Sequence, residues 1–170
     1  ERNELRLKGE SLVVETTLSG QSALNLIDQA KEQGFRVELK FVGLENVDLS
    51  KARVSNREAT GGHSIPIEDI ERRFHRSLDN LPKAISKVDV ASIYDNSGKT
   101  PHRLVAELSR DAFEFREAPA WATDAAFKVA QLDLSKANDV PELERATQRA
   151  FDSAKAGGMS EDALGVEAKK

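Results

Sequence analysis

Between Pro66 and Val88 the apolar residues Ile67, Ile70, Phe74, Leu78, Leu81, Ile85 and Val88 recur at steps of three and four. That is the spacing of one side of an α-helix. A proline at the head of the run sits where its missing N–H costs little, so the pattern predicts a long helix with one core-facing stripe. Pro82, inside the run, predicts a kink or a restart. Upstream, SLVVETT (Ser11–Thr17) carries a continuous apolar stretch of the kind found in strands covered on both faces. A helix is predicted next, over Gln21–Gln33, with Ala23, Leu26, Ile27 and Ala30 on one face and Gly34 as its stop. A strand over Arg36–Leu44 follows. Strand, helix and strand with short links predict a βαβ unit and a parallel sheet.

A shorter helix is expected over Asp48–Ala59, ending before Gly61-Gly62. Further strands are predicted over Asp89–Asp95, in HRLVAEL (His102–Leu108) and briefly around Phe115. From Ala118 the chain becomes alanine-rich and charged, and Asp139 with Glu142 has the spacing of a capping box for a helix over Val140–Ala154. The end, Gly157–Lys170, reads as frayed or disordered, and the opening ERNELRLKGE reads as helix-like sequence belonging to something longer. The expected architecture is an α/β fold with a mostly parallel sheet and flanking helices, residues 1–117 forming one domain and 118–170 a helical tail.

With 39% hydrophobic and 32% charged residues, the chain can bury a real core. A net charge of −4 gives no global basic field, so neither nucleic acid nor membrane is expected as a partner. The absence of cysteine excludes disulfides, thiolate metal sites and thiol catalysis, and fits a cytoplasmic location.

Chemistry is expected where strands end in open α/β sheets. Two predicted strands end in polar clusters, Glu15-Thr16-Thr17 and Asp95-Asn96-Ser97. On the long helix, Asp69, Arg72, Arg73, Arg76 and Asn80 fall opposite the apolar stripe. Such a face either clamps phosphates with bidentate guanidinium bonds or is solvated and laced with weak ion pairs. Arg53 and Arg57, one turn apart, lie on the preceding helix. His63 follows two glycines in a loop where it can touch a ligand. His75 and His102 read as surface residues, and the three histidines have no spacing that forms a metal site.

The run DNSGKTP (Asp95–Pro101) contains the last letters of a phosphate-binding loop, G-x-x-x-x-G-K-[ST]. Five positions before Gly98 stands Ile93, in a predicted strand, and Pro101 with HRLVAEL offers no helix N-terminus to receive a phosphate. The run is therefore read as a turn.

Several ordered blocks (VVETTLSG, FVGL, ARVSNREATGGHSIPIEDIERRFHRSLDNLPKAI, YDNSG and RLVAEL, together Ser11 to Leu108) resemble the zeta-toxin-like branch of P-loop kinases. The resemblance implies an ATP-dependent kinase that uses Mg²⁺ to phosphorylate a hydroxyl of a small-molecule substrate, for instance a nucleotide sugar such as UDP-N-acetylglucosamine. Glu15 and Thr17 would line the substrate pocket. Arg73 and Arg76 would be catalytic, and Arg57, Gly61, Gly62, His63 and Arg72 would belong to a phosphate-binding or lid region. In that family the phosphate loop, its lysine and a proposed base lie upstream of the E-x-T block. The 170 residues contain no such loop, so the fold is expected to lack that first strand and the chain alone to be inactive. Homo-oligomerisation or an antitoxin-like protein partner is also expected. The alternative is a non-catalytic interaction protein built on a degenerate kinase scaffold. Its tail would present Leu132, Leu134, Leu143, Ala146, Ala150 and Phe151 to a partner, unless that face packs on its own domain.

Overall fold

The computed structural model describes residues 8–158. Residues 1–7 of the helix-like opening and the end beyond Gly158 lie outside the described residues, and the described part of the opening, Lys8–Glu10, starts with a turn rather than a helix. In chain order the elements are α1 (Gln21–Glu32), β1 (Glu38–Gly43), α2 (Val47–Ala59), α3 (Ile67–Ile85), β2 (Val90–Asp95), β3 (Arg103–Ser109), β4 (Phe113–Phe115), α4 (Ala120–Leu134) and α5 (Val140–Ala156). No helix among the described residues is long and apolar enough to cross a membrane.

The fold is α/β, with one four-stranded sheet in the order β1-β2-β3-β4 flanked by helices. The sheet is mixed rather than mostly parallel. Only β1 and β2 run parallel; β2–β3 and β3–β4 are antiparallel. The links decide this. The parallel pair is joined by a long crossover through α2 and α3, whereas the turns after β2 and β3 are too short for anything but hairpins. The predicted βαβ unit is also displaced by one element, because SLVVETT forms no strand. Val13 is fully exposed, and among the described residues β1 has a strand partner on one side only. An apolar run records burial tendency but cannot supply the neighbouring strand whose hydrogen bonds would make it part of a sheet.

The long amphipathic helix is observed as α3, whose stripe buries Ile70, Leu81 and Ile85. It passes through Pro82 as one helix, with Pro82 itself buried and Ser86 N–H bonding back to its carbonyl. A variant of the capping box is present at the head of α5, its return bond reaching Asn138 rather than the N-cap Asp139. Asp139 accepts from Glu142 N–H at 2.8 Å, and the Glu142 carboxylate returns a bond to Asn138 N–H at 3.0 Å. One core joins the sheet (Phe41, Ile93, Leu108, Phe113) to Leu24 of α1, Leu81 of α3 and the small residues Ala122, Ala126 and Ala130 of α4. Alanine at these positions lets α4 approach closely. α5 lies along α4, with Ala146 and Ala154 buried. Of the apolar face expected on this segment, Ala146 is buried and Ala150 packs against the core, whereas Leu132, Leu134 and Phe151 are half-buried; the side chain of Leu143 lies outside the described residues.

Asp89 ties the start of the sheet together. Its carboxylate accepts from Lys31 Nζ at 2.7 and 2.8 Å and from Val37 N–H at 2.7 Å. The Lys31 bond, then the Val37 bond, hold this carboxyl below its ordinary value. A depressed folded pKa means the stabilisation is present above the unfolded value near 3.8 and is lost as pH falls through the lower folded value. Asp89→Asn is expected to cost about 1 kcal/mol near pH 7, the small figure allowing for solvent screening of a partly exposed pair. Urea melts at pH 7 and pH 3 check this: the gap between variant and parent should shrink at the lower pH.

Candidate functional site

A cleft of about 260 Å³ opens beside the C-terminal end of β1, between α2 and α3. Its construction follows the chain. β1 ends at Gly43, and Asn46 caps α2 by accepting from Leu49 N–H at 3.0 Å. Ser50, Val54 and Arg57, at helical steps of four and three, turn one side of α2 to the cleft. α2 closes with Thr60 Oγ1 bonding Arg57 O at 2.9 Å. Gly61, at φ +93°, then reverses the chain in a conformation that suits glycine. Gly62 sits directly on Arg57: a Cβ there would lie 2.7 Å from Arg57 Cγ and 2.8 Å from its carbonyl oxygen. The glycine pair thus lets the loop pack against the arginine that lines the cleft. α3 returns with Ile70, Arg73, Phe74 and Ser77 on the opposing wall, and Lys51 Nζ meets Glu71 at 2.6 Å to bind α2 to α3.

The third wall is Thr17. It is placed by its neighbour Leu18, whose side chain is buried and whose φ of +55° is left-handed. For a bulky residue this conformation costs about 1–2 kcal/mol. Burial in the core, a bond from Leu18 N–H to Thr16 Oγ1 at 3.1 Å and one from Asn80 Nδ2 to the Leu18 carbonyl at 3.0 Å hold it. Asn80 is therefore part of the scaffold under the site rather than of a solvent-facing arginine patch.

The arginines divide by occupation. Arg72 pairs with Asp69 at 2.8 Å, and Arg53 donates to the Asn96 carbonyl in the turn after β2. Arg57 and Arg73 line the cleft and make no ion pair among the described residues. Among the described residues no aspartate, glutamate or histidine lines it, whereas Thr17, Ser50 and Ser77 bring hydroxyls and Phe41, Val54, Ile65 and Phe74 give an apolar wall. Such a lining can orient a ligand and neutralise anionic charge, but holds no carboxylate or imidazole to take a proton.

Of the residues expected at the site, Thr17, Arg57 and Arg73 converge on the cleft. Glu15, Gly61, Gly62, His63, Arg72 and Arg76 stand outside its lining, and Glu15, His63 and Arg76 are exposed. Ser50 and Ser77 were not anticipated, although their helical spacing to Arg57 and Arg73 is a readable signal. The run DNSGKTP is a hairpin turn between antiparallel strands, with no helix after it. Asp95 builds this turn, accepting from Ser97 N–H at 3.1 Å and from Ser97 Oγ at 2.6 Å, and Ser97 Oγ accepts in turn from Glu45 N–H at 2.7 Å.

Comparison with known proteins adds a family. The model described as zeta toxin matches residues 2–102, more than half of the chain. An uncharacterized protein of Haemophilus influenzae is 38% identical over 61 residues, covering 36% of this chain. The matched region spans 44% of that relative's length. No solved structure matches.

Proposed function

The chain belongs to the zeta toxin family, and from that premise we propose that the cleft between α2 and α3 is the substrate and phosphate subsite of a small-molecule kinase. The reaction is transfer of the ATP γ-phosphoryl group to a hydroxyl, with a nucleotide sugar such as UDP-N-acetylglucosamine as the acceptor. One observation carries the reading. Thr17, Arg57 and Arg73, from three separate segments, meet in a cleft whose lining supplies two guanidiniums with no carboxylate among the described residues to neutralise them. Phosphoryl transfer is catalysed largely by positioning and charge neutralisation, and this lining is suited to both.

The residues fit a phosphate-bearing ligand better than they fit a metal. Mg²⁺ is usually held by one or two carboxylates together with substrate phosphates, and among the described residues the cleft has no carboxylate. No step here is therefore assigned to Mg²⁺. In this reading Arg57 and Arg73 bind phosphate oxygens, the hydroxyls of Thr17, Ser50 and Ser77 orient the acceptor, and the apolar wall excludes water. At about 260 Å³ the cleft falls below the roughly 300–1,000 Å³ of sites that enclose a drug-sized ligand, so it takes part of a nucleotide sugar. Without a phosphate loop in its 170 residues, and without a proton acceptor in the lining, the chain alone is proposed to bind without turnover.

Calorimetric titration with UDP-N-acetylglucosamine tests this. Saturable binding that weakens about tenfold or more in Arg57→Ala and in Arg73→Ala, and is unchanged in Arg72→Ala, is the expected result. Absence of binding, or equal loss in all three variants, would overturn it. Release of ADP from ATP by the chain alone would overturn the inactive assignment.

A further inference from the structure

A second and larger cleft, of about 660 Å³, lies at the other end of the sheet, where Asp89 and Val90 lead into β2 and Ser109 ends β3. The whole chain has a net charge of −4, yet this lining holds seven lysines and arginines against four aspartates and glutamates, a local surplus of three positive charges. Three of the acids are engaged within the lining: Asp89 with Lys31, Glu142 with Arg110 and Asp133 with Arg149. Lys87 and Arg36 find Asp28 and Glu38 outside it. Lys136, in the link between α4 and α5, and Arg145, on α5, line the cleft and make no ion pair among the described residues. Arg149 adds a separate sign of an unmet requirement. It is 7% exposed, and its Nε is buried without a hydrogen-bond partner.

We propose that this second cleft binds a small polyanion bearing two or more phosphate or carboxylate groups, held chiefly by Lys136 and Arg145. Its volume falls within the range of small-molecule sites, roughly 300–1,000 Å³. Asp133 lies within electrostatic reach of Lys136 and Asp111 also lines the cleft, but the cations outnumber the acids and favour an anion, with arginine giving planar two-point contact to phosphate or carboxylate. The lining comes from the β3–β4 turn, the α4–α5 link and the starts of β1 and β2. An anion held by Lys136 and Arg145 would tie the α4–α5 link to α5, and its binding would raise the melting temperature. The site is independent of the kinase reading, because it shares no lining residue with the first cleft.

The test uses the full chain at low ionic strength, where screening is weakest, titrated with inorganic pyrophosphate and, in a parallel arm, with citrate. Saturable binding that falls about tenfold or more in Lys136→Ala/Arg145→Ala, with loss of the ligand-induced rise in Tm, is the expected result. Both side chains are at least partly exposed, so the double variant should keep the parent's circular dichroism spectrum. Binding of both probes supports the broad class, and binding of pyrophosphate alone narrows it to phosphates. No saturable binding, or affinity unchanged in the double variant, overturns the proposal. Loss of pyrophosphate binding in Arg57→Ala/Arg73→Ala instead assigns the anion to the first cleft and also overturns it. Failure of UDP-N-acetylglucosamine to bind would leave the pyrophosphate result standing.

Discussion

Gly43→Ala is expected to destabilise the protein by about 1–3 kcal/mol and to abolish ligand binding at the first cleft. A Cβ on Gly43 would lie 2.3 Å from Trp121 Cη2, with Cζ2 and Cζ3 at 2.7 and 2.8 Å. The glycine is required by space alone, since it sits in regular strand β1 and pairs with Asp95 of β2. The Trp121 ring can yield only by leaving its packing against the core and its tilted contact with Phe41, 6.1 Å between centroids. Phe41 and Gly43 both line the cleft, so the same displacement reshapes the proposed binding site. Trp121 is the chain's only tryptophan, which makes its emission a direct reporter: Gly43→Ala should shift it to the red as the indole moves toward water. A double-mutant cycle separates this cause from a general strand defect. In a Trp121→Leu background the added methyl should cost less than about 0.5 kcal/mol; an undiminished cost would show that the indole is not the obstacle.

How far such a site is legible in sequence depends on the range over which its parts interact. The stripe of α3, the cap of α5 and the turn at Asp95–Pro101 are set within a few residues, and the sequence discloses them. The cleft is assembled by longer-range contacts. Arg53, Arg57, Arg72 and Arg73 look alike in sequence, all on helices, the first two one turn apart and the last two adjacent. Arg72 is occupied by Asp69 one turn away, a pairing that can be read. Arg53 is occupied by a backbone carbonyl beyond α3 and β2, which cannot. Thr17 was anticipated as the end of a strand, yet reaches the cleft from an irregular segment fixed by the left-handed Leu18 and its bond from Asn80. The right residue thus followed from the wrong element. The collision that makes Gly43 necessary involves Trp121, beyond the family-matched residues, and no local pattern announces it.

Arg149→Met is expected to be among the most damaging single changes, costing about 3–5 kcal/mol, or a fall of about 10 °C in Tm. Arg149 carries a buried charge that fastens α5 to two other elements. Its Nη1 donates to the Arg110 carbonyl in the β3–β4 turn at 2.7 Å, its Nη2 meets Asp133 of α4 at 3.0 Å, and its guanidinium lies 5.4 Å from the centre of the Phe113 ring. Methionine fills much of the volume but leaves Asp133 without its counter-charge. Burial already lifts the Asp133 carboxyl above its ordinary value, although Arg149 opposes the shift; the charge pairing and the burial act in opposite directions, and burial wins. The pair is therefore not strongly stabilising in itself. It is costly to break because the remaining partner is stranded. Two measurements follow. Removing both charges, as Arg149→Met/Asp133→Leu, should recover most of the lost stability, and a double variant no better than Arg149→Met would refute the stranded-charge account. A folded pKa raised above the unfolded one gives a contribution that turns more favourable as pH falls through the folded value. The deficit of Arg149→Met relative to the parent should therefore shrink on mild acidification, as Asp133 takes up its proton in the variant at a higher pH than in the parent.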